Sequence, residues 1–282
     1  MRTPLVSVNM CVWKPHPRHF KAAVESVLQQ TLSHFEFVIV EDPSEVDGAA
    51  LISSYLHDSR IHYVQNRVRT GLVNQRNQAI SLSRGKFIAF LDADDSADPR
   101  RLERQVAFLE QHPEISFLGS DILIMDENDQ IFAYRAYPNS PTRVAKLMRL
   151  YCALAFPAVT CLRAAVVSLG GFKGDSYVTD YDLWCRAARQ GYLIDNVPEP
   201  LTCYRVYRNA RTRARAKRVL WQTIRTKLRY FGFRMSPVAY SRLVCEVALL
   251  ALPTCLLNEL FRILTLKELP TTLAGYRKQR IK

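Results

Sequence analysis

Asp92-Ala93-Asp94-Asp95 closes an apolar run, Phe87 to Leu91, so several carboxylates converge where a buried strand would end. Holding like charges in one mouth is costly, and a divalent cation relieves the cost. Oxygen-only ligands suit Mg2+ or Mn2+, and such an ion bridges carboxylates to a diphosphate and offsets charge on a leaving group. The same residues would also serve as a cap and a solvated acidic turn ahead of Pro99. Glu41-Asp42 ends a second apolar run, Phe35 to Val40. A carboxylate there can accept hydrogen bonds from a base or ribose, and plain loop acidity explains it as well. The third cluster, Thr179-Asp180-Tyr181-Asp182-Leu183-Trp184, follows Gly170-Gly171-Phe172 and opens a helix. Asp180 or Asp182 there is either a proton acceptor or a complement to the positive end of the helix.

The elements that position these groups are legible as alternating periods. Leu5 to Val12 reads as a buried strand, and Phe20, Ala23, Val24, Val27 and Leu28 then line one helical face. A shorter helix near residues 46–57, a strand from Ile61 to Gln65, a polar loop with Gly71 and a helix from Val73 to Arg84 follow. Gly85 is expected to stop that helix, and Pro99 to begin the next at its first position. This alternation predicts an α/β fold, Rossmann-like and doubly wound, with a mostly parallel central sheet and ligands beyond the carboxyl ends of the strands. From residue 115 the pattern is mixed, with a turn at Asp126-Glu127-Asn128-Asp129. The predicted organisation is a nucleotide-binding half over 1–114, an acceptor half over 115–206, and a basic, amphipathic helical region over 207–282.

Charge separates that last region from the rest. The chain carries +13 overall, but residues 1–204 hold 21 Lys+Arg against 23 Asp+Glu, and residues 205–282 hold 18 against 3. The tail is therefore +15 and the remainder −2, which predicts an anionic partner. Val247 to Asn258 is uncharged but only 12 residues long, too short for an ordinary spanning helix. Arg242, Glu246, Thr254, Asn258 and Arg262 form a polar stripe, and Leu249, Leu252, Leu256 and Leu260 fall on the apolar side. Pro253 should divide the helix. A basic, amphipathic stretch suits a membrane surface; a helical hairpin packed on the enzyme or a second subunit is the other reading. The seven scattered cysteines form no Cys-x-x-Cys pair and read as reduced thiols. The apolar start is too short for a signal peptide. The expected location is cytoplasmic, peripheral on the inner face of the cytoplasmic membrane.

The ordered set VSVNMCVW, AAVESVLQQTLSHFEFVIVED, TGLVNQRNQAI, GKFIAFLDADD with Pro99, LGGF, and TDYDLWCRAARQG followed by VPEPLTCYRV resembles the family 2 glycosyltransferases, which share the GT-A fold. The match runs in family order over residues 4–206. The resemblance implies an inverting transferase that moves a sugar from a nucleotide-sugar, a UDP-sugar above all, to a saccharide or lipid-linked acceptor in cell-surface polysaccharide synthesis. It implies Asp42 as the nucleobase carboxylate, Asp92 near the ribose, Asp94 as the ligand of a divalent cation (Mn2+ or Mg2+), and Asp180 as the catalytic base. Trp13 supplies an aromatic wall beside the nucleotide. Arg76, from the family's Arg-Asn pair, buttresses the nucleotide loop or forms a structural ion pair. Trp184 is expected to pack rather than to stack on a sugar.

Departures from the family pattern fall in four places, one being Asp42-Pro43-Ser44 where the usual run is Asp-Gly-Ser. The first loop reads Cys11-Val12-Trp13-Lys14, Thr179 replaces the usual Glu before the base, and Tyr204-Arg205-Val206-Tyr207 lacks a family His. They keep open a catalytically inactive subunit that binds membrane or nucleic acid through its tail, against which stand Asp42, Asp92, Asp94 and Asp180, all present; the charge and amphipathicity of the tail lead to a membrane partner and no nucleic acid as the expectation. A dehydrogenase or a P-loop enzyme is excluded, because neither Gly-x-Gly-x-x-Gly nor Gly-Lys-Ser/Thr occurs.

Overall fold

The computed structural model describes residues 3–174, 177–207, 210–232 and 235–267. Residues 268–282 and the side chains of 210–215, which belong to the expected basic tail, lie outside the described residues.

The first half is built as its periods dictate. Strand β1 (Val6–Val12) is followed by helix α1 (Pro17–Leu28), β2 (Phe35–Glu41), the short α2 (Gly48–Leu51), β3 (Ile61–Gln65), α3 (Leu72–Leu82) and β4 (Phe87–Phe90). These four strands run parallel in the order β3-β2-β1-β4. Alternate residues of β1, Val6, Val8, Met10 and Val12, pack on Phe20, Ala23, Val24 and Val27 of α1. Helix α4 (Arg101–Gln111) adds Leu102, Val106 and Leu109 to that face. The opposite face is covered by α3 and by the helices that follow. Two local expectations change. Ser83, not Gly85, closes α3, its hydroxyl and N–H both bonding Ala79 O. Gly85 instead permits a close approach, since an added Cβ would lie 2.6 Å from Ser7 N. Helix α4 begins two residues after Pro99, whose carbonyl accepts from Thr31 N–H.

The second half extends the same sheet with mixed pairing. It comprises β5 (Ser96–Ala97), β6 (Ile115–Met125), β7 (Ile131–Arg135), α5 (Pro141–Met148), β8 (Thr160–Leu162), α6 (Arg163–Ser168), α7 (Thr179–Arg189) and β9 (Leu193–Arg205). The order continues from β4 as β8-β6-β9-β5, with β7 on β6. β8 is antiparallel to β4 and β6, and the long β9 is parallel to β6. Trp184 of α7 is fully buried, edge-on to Phe117 at 5.4 Å; it packs, as expected.

Three helices follow: α8 (Ala210–Phe231), α9 (Pro237–Leu249) and α10 (Thr254–Thr265). The break before α10 falls at Pro253, which cannot continue a helix. Helix α8 docks through Ile224, Lys227 and Phe231, and α9 through Ala239, Leu243 and Glu246. Of the four leucines expected to form an apolar face, only Leu256 is exposed; Leu249, Leu252 and Leu260 are half-buried. Lys227 Nζ donates to both oxygens of Glu246 at 2.6 Å, pinning α8 to α9.

Breaking that buried pair leaves one charge uncompensated, whereas replacing both members does not. Lys227→Ala should therefore cost about 3–5 kcal/mol in denaturant unfolding. The double variant Lys227→Met, Glu246→Leu should be more stable than Lys227→Ala. A double variant no better than the single would show that packing, not charge, sets the cost.

Candidate active site

The parallel strands bring three acidic stretches to one edge. β1 and β4 are neighbours, so the loops after them, carrying Trp13 and Asp92 to Asp95, lie side by side. β2 borders β1 and ends at Glu41, with Asp42 N–H bonding Val12 O. Helix α7 delivers Thr179 and Asp180 from the opposite side.

Glu41 is structural: its carboxylate accepts from Gly48 N–H, Tyr63 Oη and Gln65 Nε2. Asp42 is buried, and its four acceptor positions are filled by Asn66 Nδ2 (2.9 Å), Thr70 Oγ1 (2.9 Å), Thr70 N–H (2.9 Å) and Gly71 N–H (2.7 Å). It thus folds the 66–71 loop against the sheet edge, and Gly71 turns into α3 at φ +86°. Trp13 is exposed across the mouth of this loop, with the Arg69 guanidinium stacked 3.9 Å from its ring centre.

Arg76 joins the two sides. It rises from α3, lies on Phe156 at 3.6 Å and near Phe172 at 5.1 Å, donates to Thr179 Oγ1 at 3.1 Å and faces Asp92 at 3.8 Å. Its charge also acts on Asp180. Thr179, which stands where a Glu was expected and is next to Asp180 in the chain, is therefore the acceptor that holds this guanidinium. Asp92 and Asp180 are brought together across Arg76. Burial raises the Asp92 pKa to about 6, opposed by Arg76 and reinforced by Asp94 and Asp180. Burial also raises Asp180, again opposed by Arg76. Asp182 is not at the site: it pairs with Arg186 at 2.8 Å and accepts from Tyr230 Oη at 2.7 Å.

Asp94 and Asp95 are held from the far side by the end of β9. Arg205 N–H donates to Asp95 Oδ1 (2.7 Å), its Nε donates to Asp94 O (2.8 Å), and its Nη1 pairs with Asp129 (2.7 Å). Asp95 Oδ2 is buried with no hydrogen-bond partner among the described residues. Burial, Asp94 and Asp92 push the Asp95 pKa well up. Burial raises Asp94 as well, against a hydrogen bond from Tyr207 and the charge of Arg205.

Tyr207 stands where the family His was expected, and it is held by a residue that sequence reasoning missed. His19 Nε2 meets the Glu127 carbonyl at 3.0 Å and its Nδ1 meets Tyr207 Oη at 2.9 Å. A carbonyl only accepts, so Nε2 carries the proton. Burial and Arg205 lower the His19 pKa to about 4, so the ring is neutral and Nδ1 accepts from Tyr207. The phenol has one proton and two claimants, His19 and Asp94. The sequence signal was slight: His19 sits two residues into a helix, and nothing local couples it to residue 207.

Comparison with known proteins agrees with this architecture. The Glycosyl transferase family 2 model matches residues 17–163. The uncharacterized glycosyltransferase MJ1057 of Methanocaldococcus jannaschii is 31% identical over 211 residues, covering 73% of this chain and 72% of that protein. The Escherichia coli UDP-Glc:alpha-D-GlcNAc-diphosphoundecaprenol beta-1,3-glucosyltransferase WfaP is 29% identical, covering 79% and 84%. Among solved structures, the mannosyltransferase PcManGT from Pyrobaculum calidifontis, in complex with GDP-Man and Mn2+, superposes with a TM-score of 0.63 at 16% identity, covering 98% and 83%. S. aureus TarS 1-349 with UDP-GlcNAc gives 0.61 at 13% identity, covering 86% and 79%. With the model match spanning more than half its length and the GT-A architecture in place around a shared carboxylate edge, the chain belongs to glycosyl transferase family 2 and is a glycosyltransferase.

Proposed function

We propose that the enzyme transfers a sugar from a UDP-sugar to a saccharide hydroxyl, inverting the anomeric centre, in the assembly of a lipid-linked surface polysaccharide. The observation that supports this reading is Arg76, 3.8 Å from Asp92 and acting through its charge on Asp180, an arrangement suited to a donor-side carboxylate and a base in one cleft. The names of relatives such as WfaP, and of an Escherichia coli O-antigen biosynthesis glycosyltransferase at 27% identity, WbnJ, support the acceptor class.

The oxygen donors fit a hard divalent cation. Among the described residues no three His, Cys, Asp or Glu side chains form a ready-made cage, but Mg2+-like ions need only one or two carboxylates when phosphates complete the shell. The crowding of Asp92, Asp94 and Asp95, each raised by burial, is the cost such an ion would remove. Asp94 would hold Mn2+ or Mg2+ there, and the ion would supply charge neutralisation to the diphosphate. Asp92 faces the ribose. Asp42 holds the loop that walls the base, and Trp13 with Arg69 closes it.

Asp180 takes the proton of the acceptor hydroxyl as that oxygen bonds to the anomeric carbon. The bond from this carbon to the phosphate oxygen breaks on the opposite face, and its electron pair leaves with the diphosphate. One such displacement inverts the centre. The raised pKa of Asp180 brings it nearer to a useful base, a contribution of about 10²–10⁴-fold. Arg76 keeps that carboxylate ionised and fixed.

Asp180→Asn should leave donor affinity within a few-fold while lowering turnover at least about 10²-fold. Asp182→Asn, which disturbs only the Arg186 and Tyr230 contacts, should do less, and NMR of the product should show inversion. Equal losses in the two variants, or retained configuration, would contradict the base assignment.

Calorimetric titration of UDP-sugars should show binding with Mn2+ and none in EDTA; equal affinity in both would remove Asp94 as a cation ligand.

A third outcome concerns the cation-free protein. The Asp92 pKa lies at about 6 against 3.8 unfolded, so the folded state binds more protons and stability falls as pH rises through that window. Asp92→Asn should therefore raise the unfolding midpoint at neutral pH, by no more than about 1 kcal/mol given its partial exposure. The gain should vanish below the unfolded value. A pH-independent effect would show that crowding is not felt.

A further inference from the structure

The outer surfaces of α8 and α9 are unlike the rest of the molecule. Helix α8 has no acidic residue in its sequence. Its exposed stripe runs Arg218, Trp221, Arg225, Leu228 and Arg229, cations alternating with large apolar groups. Helix α9 buries Ala239, Leu243 and Glu246, and turns Tyr240 (44% exposed), Val244 (68%) and Val247 (48%), spaced i, i+4, i+7, outward along one side. Leu256, beyond the Pro253 break, is 56% exposed. Between Arg242 and Arg262 the only charged residues are Glu246, buried against Lys227, and Glu259. The Lys227–Glu246 pair joins the two helices on their buried sides and leaves these exposed residues to the outside.

We propose that the outer faces of α8 and α9 form a docking surface for an anionic lipid bilayer, holding the catalytic cleft at a fixed offset from the membrane plane. Three features select this occupant. An apolar face flanked by arginines matches the hydrocarbon boundary and the anionic headgroups together, with Trp221 between them. A two-fold pairing of this face with its own copy would gather Arg218, Arg225 and Arg229 of both chains in one interface, to which α8 and α9 bring no exposed acidic residue. Among the described residues no helix is long and apolar enough to cross a membrane, so the helices lie on the bilayer.

The surface is tied to the chemistry. Gln222 Oε1 accepts from Tyr177 N–H at 2.8 Å, two residues before Thr179, and Tyr230 Oη donates to Asp182 on α7 at 2.7 Å. The helix that opens with Thr179 and Asp180 is thereby braced on the lipid-facing helix. The role of this offset in acceptor capture rests on the transfer reading above; bilayer binding itself does not.

The test uses the full chain in co-sedimentation with phosphatidylglycerol–phosphatidylcholine vesicles and with pure phosphatidylcholine vesicles. Salt is set at about 0.1 M and about 1 M, where the screening length falls from ~10 Å to ~3 Å. Anionic vesicles should bind the protein, neutral ones much less, and high salt should release only part of it. Arg218→Gln with Arg225→Gln should weaken partition roughly 25-fold, a factor of about five for each cation. Val244→Glu with Val247→Glu should remove the salt-resistant fraction, while Val244→Leu with Val247→Leu keeps it. These positions are exposed, so melting temperature and UDP-sugar binding should not move. If nucleotide-sugars fail to bind any form, the transfer reading fails while vesicle binding stands. The docking proposal is overturned if the wild-type chain ignores anionic vesicles, if the glutamate variant partitions like wild type, or if that variant converts a vesicle-indifferent dimer into a monomer. Binding of single-stranded nucleic acid with a steep salt slope and no vesicle binding would overturn it too.

Discussion

Parallel strands deliver their carboxyl ends to one edge, and in this chain the residues at that edge are aspartates. Asp92, Asp94 and Asp95 follow β4 within four positions, and Asp180 meets them from α7. Burial raises all four, and neighbouring carboxylates add to it at Asp92 and Asp95. Such a cluster holds together only if cations are built around it, and the fold supplies them. Arg76 stands between Asp92 and Asp180 on an aromatic shelf of Phe156 and Phe172. Arg205 clamps Asp94 and Asp95 from β9. Arg101, buried beneath, ties β4 to the segment before β8 through the carbonyls of Phe90 and Val159.

The remaining architecture follows from that constraint. Arg205 reaches the cluster because β9 runs the length of β6 and ends beside β5. Asp129 and the Asp126 carbonyl anchor the other end of Arg205, and Arg18 and His19 hold the same turn to the start of α1. The nucleotide-side helix, the β6–β7 turn and the last strand are thus one polar assembly, closed by Tyr207. At Tyr207 one phenol proton serves two acceptors, His19 and Asp94.

The first 111 residues were legible because each element there has a strong period and a buried face: Val6 to Val12 alternates against the Phe20–Val27 stripe, and the acidic stretches fall where strands stop. The second half was less so. β8 is three residues long and β5 two, below the length at which alternation can be read. β9 interrupts its pattern with Pro198 and Pro200, which mark register shifts against β6 rather than an end. At the site, the aspartates announce themselves by position, whereas the His19–Tyr207 contact spans 188 residues and leaves no local trace. The tail showed its charge and its Pro253 break, but the outward face depended on which side of α9 packs. Glu246, buried against Lys227, helps fix that side, while the leucines that periodicity suggested are half-buried apart from the exposed Leu256.

On the proposed reading, the aspartate edge serves to hold a cation against a diphosphate. The most direct measurement is anomalous diffraction from crystals grown with Mn2+ and UDP. A Mn2+ peak at about 2.1 Å from an Asp94 carboxylate oxygen, with diphosphate oxygens completing its shell, is the result expected for a hard divalent ion. UDP bound at the edge with no Mn2+ beside Asp94, or Mn2+ held elsewhere in the molecule, would contradict it.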